Sequence, residues 1–125
     1  MIVGIGIDVV AIPRFVDTIT RAPGVLERVL TAAEINDAGG DRRSDASLAA
    51  RFAAKEALSK ALGAPAGMSW HDASVVVDAA GRPGLQVQGS VAERAAVLGV
   101  GAWHLSLSHD GDVAVAVVVA EGEFR

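Results

Sequence analysis

The sequence predicts an α+β fold with a largely antiparallel sheet, and three observations carry that prediction. Apolar, β-branched runs open and close the chain at Met1–Val10 and Val113–Val119. A long helical pattern spans Ser47–Leu62. Strands and helices interleave in the order βαα, α, ββ, α, ββ, without the regular βα alternation of a doubly wound sheet.

Met1–Val10 is read as a buried strand with Gly4 and Gly6 inside it. Pro13 sits near a helix start, and Ile12, Phe15, Val16 and Ile19 recur at three- and four-residue spacing until Pro23-Gly24 ends the helix. Val25–Leu30 begins another helical piece, and Thr31-Ala-Ala-Glu34 has the spacing of a capping box that restarts it. The polar stretch Asn36–Asp45 reads as an exposed loop. Ser47–Leu62 is the longest helix, with Ser44 or Asp45 as N-cap and Gly63 as the stop. Leu48, Phe52, Leu58 and Leu62 form its large-residue face, while Ala49, Ala50, Ala53, Ala54, Ala57 and Ala61 cover much of the other side. A helix apolar on both sides is expected to be buried on both. After a loop at Ala64–His71, the strands Ala73–Asp78 and Leu85–Val87 flank a turn at Ala80–Gly84. Ser90-Val-Ala-Glu93 is a second capping box, opening a short helix that Gly99 closes. Trp103–Ser108 and Val113–Val119 then flank the hairpin signal Asp110-Gly111-Asp112.

With 125 residues, no cysteine, 51% hydrophobic and 21% charged positions, the chain is expected to be one domain over residues 1–125 that folds without disulfides in the cytoplasm. Ala and Val, 24 and 18 residues, supply most of the apolar positions, and small side chains bury little area each. A mean hydropathy of +0.39 in so small a chain therefore suggests apolar surface covered by another subunit. No membrane or export segment explains the excess. Asp8 interrupts the first apolar run, and Val113–Ala120 is less than half of a bilayer span. The net charge of −4 and only five aromatic residues exclude a general nucleic-acid binder. The charge is uneven: residues 1–60 carry eight basic and eight acidic side chains, leaving the deficit in the second half.

Three segments could carry chemistry. Gly4-Ile-Gly-Ile-Asp8 completes no phosphate-loop fingerprint, so its informative feature is a carboxylate near the end of an apolar strand, whose ordinary role is solvation or helix capping. In Arg51-Phe-Ala-Ala-Lys55-Glu56-Ala-Leu-Ser-Lys60, Lys55 falls on the large apolar face and so requires a partner anion. Glu56 and Lys60 share the side bordering the alanines, which an ordinary i,i+4 pair would also explain. In Ser106-Leu-Ser108-His109-Asp110, strand alternation delivers His109 before a turn, either as a hydrogen-bonded structural residue or as a functional one. Three adjacent residues cannot form a hydrolase triad by themselves. Two carboxylates, several cations and one histidine suit phosphoryl transfer with Mg²⁺.

Taken together, Gly4-Ile-Gly-Ile-Asp8 with Ile12-Pro-Arg14, the Arg51–Gly63 helix motif, Gly81-Arg-Pro83 and Ser106-Leu-Ser-His109 resemble the holo-acyl-carrier-protein synthase family of small 4′-phosphopantetheinyl transferases. The resemblance spans nearly the whole chain. It implies an antiparallel sheet packed on a long central helix, assembled as a homotrimer with sites at subunit interfaces. It implies transfer of 4′-phosphopantetheine from coenzyme A to a serine of apo-acyl carrier protein, in support of fatty acid biosynthesis. Asp8 and Glu56 match the family's Mg²⁺ ligands and Lys60 its charge neutraliser on the pyrophosphate. Arg51, Pro83 and His109 match positions that contact coenzyme A, and the base is either His109 or a metal-bound water. Arg14 matches the docking surface for the acidic carrier protein, with Arg21 and Arg28 following at seven-residue spacing. The competing class is a trimeric module that binds coenzyme A or a carrier protein without catalysis, which would need no metal pair.

Overall fold

The computed structural model describes residues 1–123. Its elements are β1 (Ile2–Ala11), α1 (Ile12–Arg21), α2 (Gly24–Val29), α3 (Ala32–Ile35), α4 (Asp45–Ala61), β2 (Ala73–Val77), β3 (Pro83–Val87), α5 (Gly89–Leu98), β4 (Val100–Asp110) and β5 (Val113–Gly122), with a 3-10 turn at Trp70–Asp72. The fold is α+β and every strand pair is antiparallel, but the strands form two sheets. One has the order β1-β5-β4, which puts the last strand in the middle, and the other is the β2-β3 hairpin.

The core follows from alternation on β5 and from the alanines of α4. Ala114, Ala116, Val118 and Ala120 point to one side of the sheet and are buried. Ala53, Ala54, Ala57, Leu58 and Ala61 of α4 and its C-cap Leu62 cluster with Ala116 and Val118, while Leu48, Ala49 and Ala50 join Phe15, Ile19 and Ala114. The helix is thus buried on both its large and its small faces, as its composition demands. Ser44 caps it by accepting a hydrogen bond from the Ser47 amide at 3.2 Å.

The other side of the sheet is organised in rows across the register. Ile5, Val119 and His104 form one row, Ile7, Val117 and Ser106 the next, and Val9, Val115 and Ser108 the third. Ile5, Ile7 and Val9 are 60, 55 and 59% exposed. One edge of this face is therefore apolar and bare, the other polar.

The Thr31–Glu34 capping box is present. The second one is not: α5 starts at Gly89 without a side-chain cap of its own. Asp72 instead accepts hydrogen bonds from the Ser90 amide at 2.9 Å and the Ser90 hydroxyl at 2.7 Å. An acceptor supplied from a distant turn removes the need for the local box. β3 begins earlier than expected, at Pro83, which pairs with Val77 at the end of the ladder where proline is tolerated. The loop before α4 is less free than its composition suggests, since Asn36 bridges to Arg42 and the Asp37 carboxylate accepts from the Gly39 and Asp41 amides.

Candidate active site

The site begins with the two glycines of β1. Gly4, Gly6 and Asp8 share the strand face turned to α4. A Cβ at Gly6 would overlap the carbonyl oxygen of Ala57, and one at Gly4 that of Ala61. Strand and helix therefore approach without intervening side chains on the strand side, a role for glycine that does not depend on its conformational freedom. Asp8 is the first residue of this face with a side chain, and it emerges beside the next helical positions, Glu56 and Lys60.

Lys60 donates from Nζ to the Ile7 carbonyl at 2.9 Å and to Asp8 Oδ1 at 3.1 Å. Its side chain is 53% exposed and that of Asp8 18%. The Glu56 carboxyl is half-buried and makes no side-chain hydrogen bond among the described residues. Burial pushes its pKa up, the Asp8 charge pushes it further, and Lys60 partly opposes them. Two carboxylates that repel across a gap, one lacking a donor, are the residues here that could hold a cation. Among the described residues no three such ligands converge, so water and substrate would have to complete any coordination shell.

Next to this pair opens a cleft of about 310 Å³, lined by Asp8, Glu56, Arg14, Phe15, Ile19, Val25 and Phe52 among others. Its walls are mainly apolar, with Arg14 the only cation among its lining residues. Arg14 is exposed on α1. Arg21 lies at the end of that helix, 3.2 Å from Asp17, and Arg28 is exposed on α2.

Arg51 occupies a different part of α4. It is only 6% exposed, with Nη1 2.5 Å from Ser47 Oγ, and its Nε is buried without a partner. Arg43 likewise has a buried, unpartnered Nε. Burial and the charge of Arg43 both lower the Arg51 pKa, and Glu34 partly restores it. Arg43 was not singled out in the sequence, although it immediately precedes the N-cap of α4. Pro83, on the β2-β3 hairpin, and His109, at the end of β4, do not line the cleft. His109 is exposed and makes no side-chain hydrogen bond among the described residues. One chain therefore brings Asp8, Glu56 and Arg14 to the cleft, with Lys60 beside Asp8, and leaves Arg51, Pro83 and His109 outside it.

Lys55 finds the anion that its position required. Its Nζ is 2.8 Å from Glu34 Oε1, with both side chains fully buried.

Residues 4–118 match the family model described as the 4′-phosphopantetheinyl transferase superfamily. The chain belongs to this family. It is similar to a holo-[acyl-carrier-protein] synthase of Streptomyces coelicolor, 59% identical over 97% of this chain and 98% of that one. Among solved structures, it is similar to the Helicobacter pylori holo-[acyl-carrier-protein] synthase in complex with coenzyme A. That match has a TM-score of 0.80 and 32% identity, covering 94% of this chain and 99% of that one. A holo-(acyl-carrier-protein) synthase from Bacillus anthracis in complex with CoA (3′,5′-ADP) matches with a TM-score of 0.77 and 38% identity, over 98% and 99% of the two chains.

Proposed function

We propose that this member of the superfamily is a holo-acyl-carrier-protein synthase. It transfers 4′-phosphopantetheine from coenzyme A to a serine hydroxyl of apo-acyl carrier protein and releases adenosine 3′,5′-bisphosphate. In balance, a serine oxygen–phosphorus bond forms, a bond of the pyrophosphate breaks, and the serine proton is lost. The observation that carries this reading is the meeting of Asp8 and Glu56 in a cleft that Arg14 also lines, with Lys60 hydrogen-bonded to Asp8.

Asp8 and Glu56 are the proposed Mg²⁺ ligands, and their mutual repulsion, with no donor on Glu56 among the described residues, fits a divalent cation. When bound, Mg²⁺ supplies charge stabilisation at the attacked phosphorus and at the leaving phosphate. Lys60 holds Asp8 in place and keeps its ammonium half in solvent, where it can neutralise the pyrophosphate. Arg51 is proposed to contact another phosphate of coenzyme A, with Arg43 adding positive charge beside it.

In this reading the sites lie at subunit interfaces and Pro83 and His109 contact coenzyme A from a neighbouring copy; neither lines the cleft of its own chain. The bare apolar edge of the sheet supports a homotrimer that brings them there. The serine proton would pass to His109, or to a base that Mg²⁺ held by Asp8 and Glu56 would supply. Arg14 docks the acidic carrier protein, and Arg21 and Arg28 extend the surface; Asp17 already offsets part of the Arg21 charge. The enzyme works as a single domain in the cytoplasm and supports fatty acid biosynthesis; among the described residues no helix is long and apolar enough to cross a membrane. Incubation with apo-acyl carrier protein, coenzyme A and Mg²⁺, followed by intact mass of the carrier protein, tests the proposal.

A further inference from the structure

We propose that the buried Glu34–Lys55 ion pair fixes the register of α4 beneath the site, which makes Glu34 a positioning residue for Glu56. The inference rests on the functional reading above, and its evidence is the pattern of hydrogen bonds. Lys55 has three donors and uses all of them: Glu34 Oε1, the Trp70 carbonyl at 2.8 Å, and the Ala73 carbonyl. Glu34 accepts, besides Lys55, the Thr31 amide at 2.9 Å on Oε1 and the Val75 amide at 2.8 Å on Oε2. One ion pair thus ties the middle of α4 to the N-cap of α3, the 3-10 turn and β2.

The surrounding elements give this node its purpose. Against β1 and β5, α4 presents alanines and Leu58 and meets glycines, and Lys60 ties it to Ile7 and Asp8 on that side; the Glu34–Lys55 pair is the tie on the other side of the helix. Glu56 follows Lys55 directly, and a rotation of α4 about its axis would swing it away from Asp8. Arg51, one turn before Lys55, also lies in the field of Glu34. A wholly buried ion pair is a poor source of net stability, because desolvation offsets the attraction, whereas registry is a role such pairs are known to fill. Residues that orient metal ligands from behind typically matter about 10–100-fold in affinity or activity.

The test compares wild type with two variants. Glu34→Gln/Lys55→Gln removes both charges while leaving groups that can hydrogen-bond. Glu34→Asp keeps both charges and shortens the reach by one methylene, and it decides the matter where the double variant does not fold. Thermal unfolding establishes the fold, steady-state kinetics separates kcat from KM, and Mn²⁺ titration of the protein alone, followed by water proton relaxation, reads the carboxylate pair without turnover. The expected result is a folded variant whose kcat and Mn²⁺ affinity each fall about tenfold or more, with KM for coenzyme A little changed. A folded variant that keeps wild-type kcat and Mn²⁺ affinity, even with a lower melting temperature, overturns the inference. Absence of turnover in wild type overturns the functional reading and this inference with it; wild-type turnover with unchanged variants overturns this inference alone.

Discussion

Gly6 on β1 lies so close beneath the carbonyl oxygen of Ala57 on α4 that no β-carbon fits between them. Two residues along the strand stands Asp8, and one residue back along the helix stands Glu56. The tightest contact between sheet and helix is therefore also the one that sets the distance between the two carboxylates.

Gly6→Ala follows from this contact. The added methyl meets backbone, which cannot rotate away, so α4 must shift. The expected cost is about 1–3 kcal/mol of stability from overpacking, together with a loss of transferase activity in the folded fraction as Asp8 and Glu56 separate. Ala57→Gly does not rescue it, because the obstacle is the Ala57 carbonyl rather than its side chain. Denaturant melts and kinetics on the single and double variants check both statements, and rescue by Ala57→Gly would contradict them.

Glu56 gives stability a pH dependence of defined sign. Its folded pKa is raised from the ordinary 4.5, so between that value and the raised one the folded state binds more protons than the unfolded state. Stability contributed by this group is present at low pH and lost as pH rises through that window. Glu56→Gln removes the penalty: metal-free variant and wild type should melt alike below pH 4.5, with the variant gaining the advantage toward neutrality. Thermal melts across the pH range show it, and identical curves at pH 7 would contradict it.

Ile7 stands in the middle of the bare edge of the sheet, 55% exposed and level with Val117. Ile7→Glu places a charge where a second copy is proposed to pack, at a desolvation cost of several kcal/mol. Sedimentation should show a trimer for wild type and a monomer for the variant, with activity lost because Pro83 and His109 no longer reach a neighbour's site. A monomeric, active wild type is the contrary result.

Arg14 shares the cleft with Asp8 and Glu56 yet touches neither through a hydrogen bond. Arg14→Ala should raise KM for the carrier protein about two- to fivefold, the worth of one exposed charge pair, and leave kcat unchanged. The salt dependence of kcat/KM should become shallower as one steering charge is lost. An unchanged KM and salt slope would remove Arg14 from the docking surface.

Much of this fold was legible because its determinants are local. The Thr31 box, the Ser44 cap and the two-sided burial of α4 follow from short-range pattern. What escaped depends on distant partners. The acceptor for the N-terminus of α5 is Asp72, eighteen residues before Ser90. Glu34 was recognisable as a capping residue, and Lys55 as a lysine that needs an anion, but nothing local joins them. The glycines of β1 were correctly placed inside a strand, while the reason for them, the carbonyls of Ala57 and Ala61, emerges only when α4 is laid across it. His109 and Pro83 gained their roles solely from family resemblance, and a single chain does not bring them to Asp8.

The most direct measurement is the intact mass of apo-acyl carrier protein after incubation with coenzyme A, Mg²⁺ and the enzyme, in parallel with Asp8→Ala and Glu56→Ala. The wild type should add the mass of one phosphopantetheine group, and each variant, still folded, should do so at least about 100-fold more slowly, as expected when charge stabilisation of the transition state is removed. No mass gain with wild type on any carrier protein tried, or near-normal turnover in both variants, would contradict the assignment.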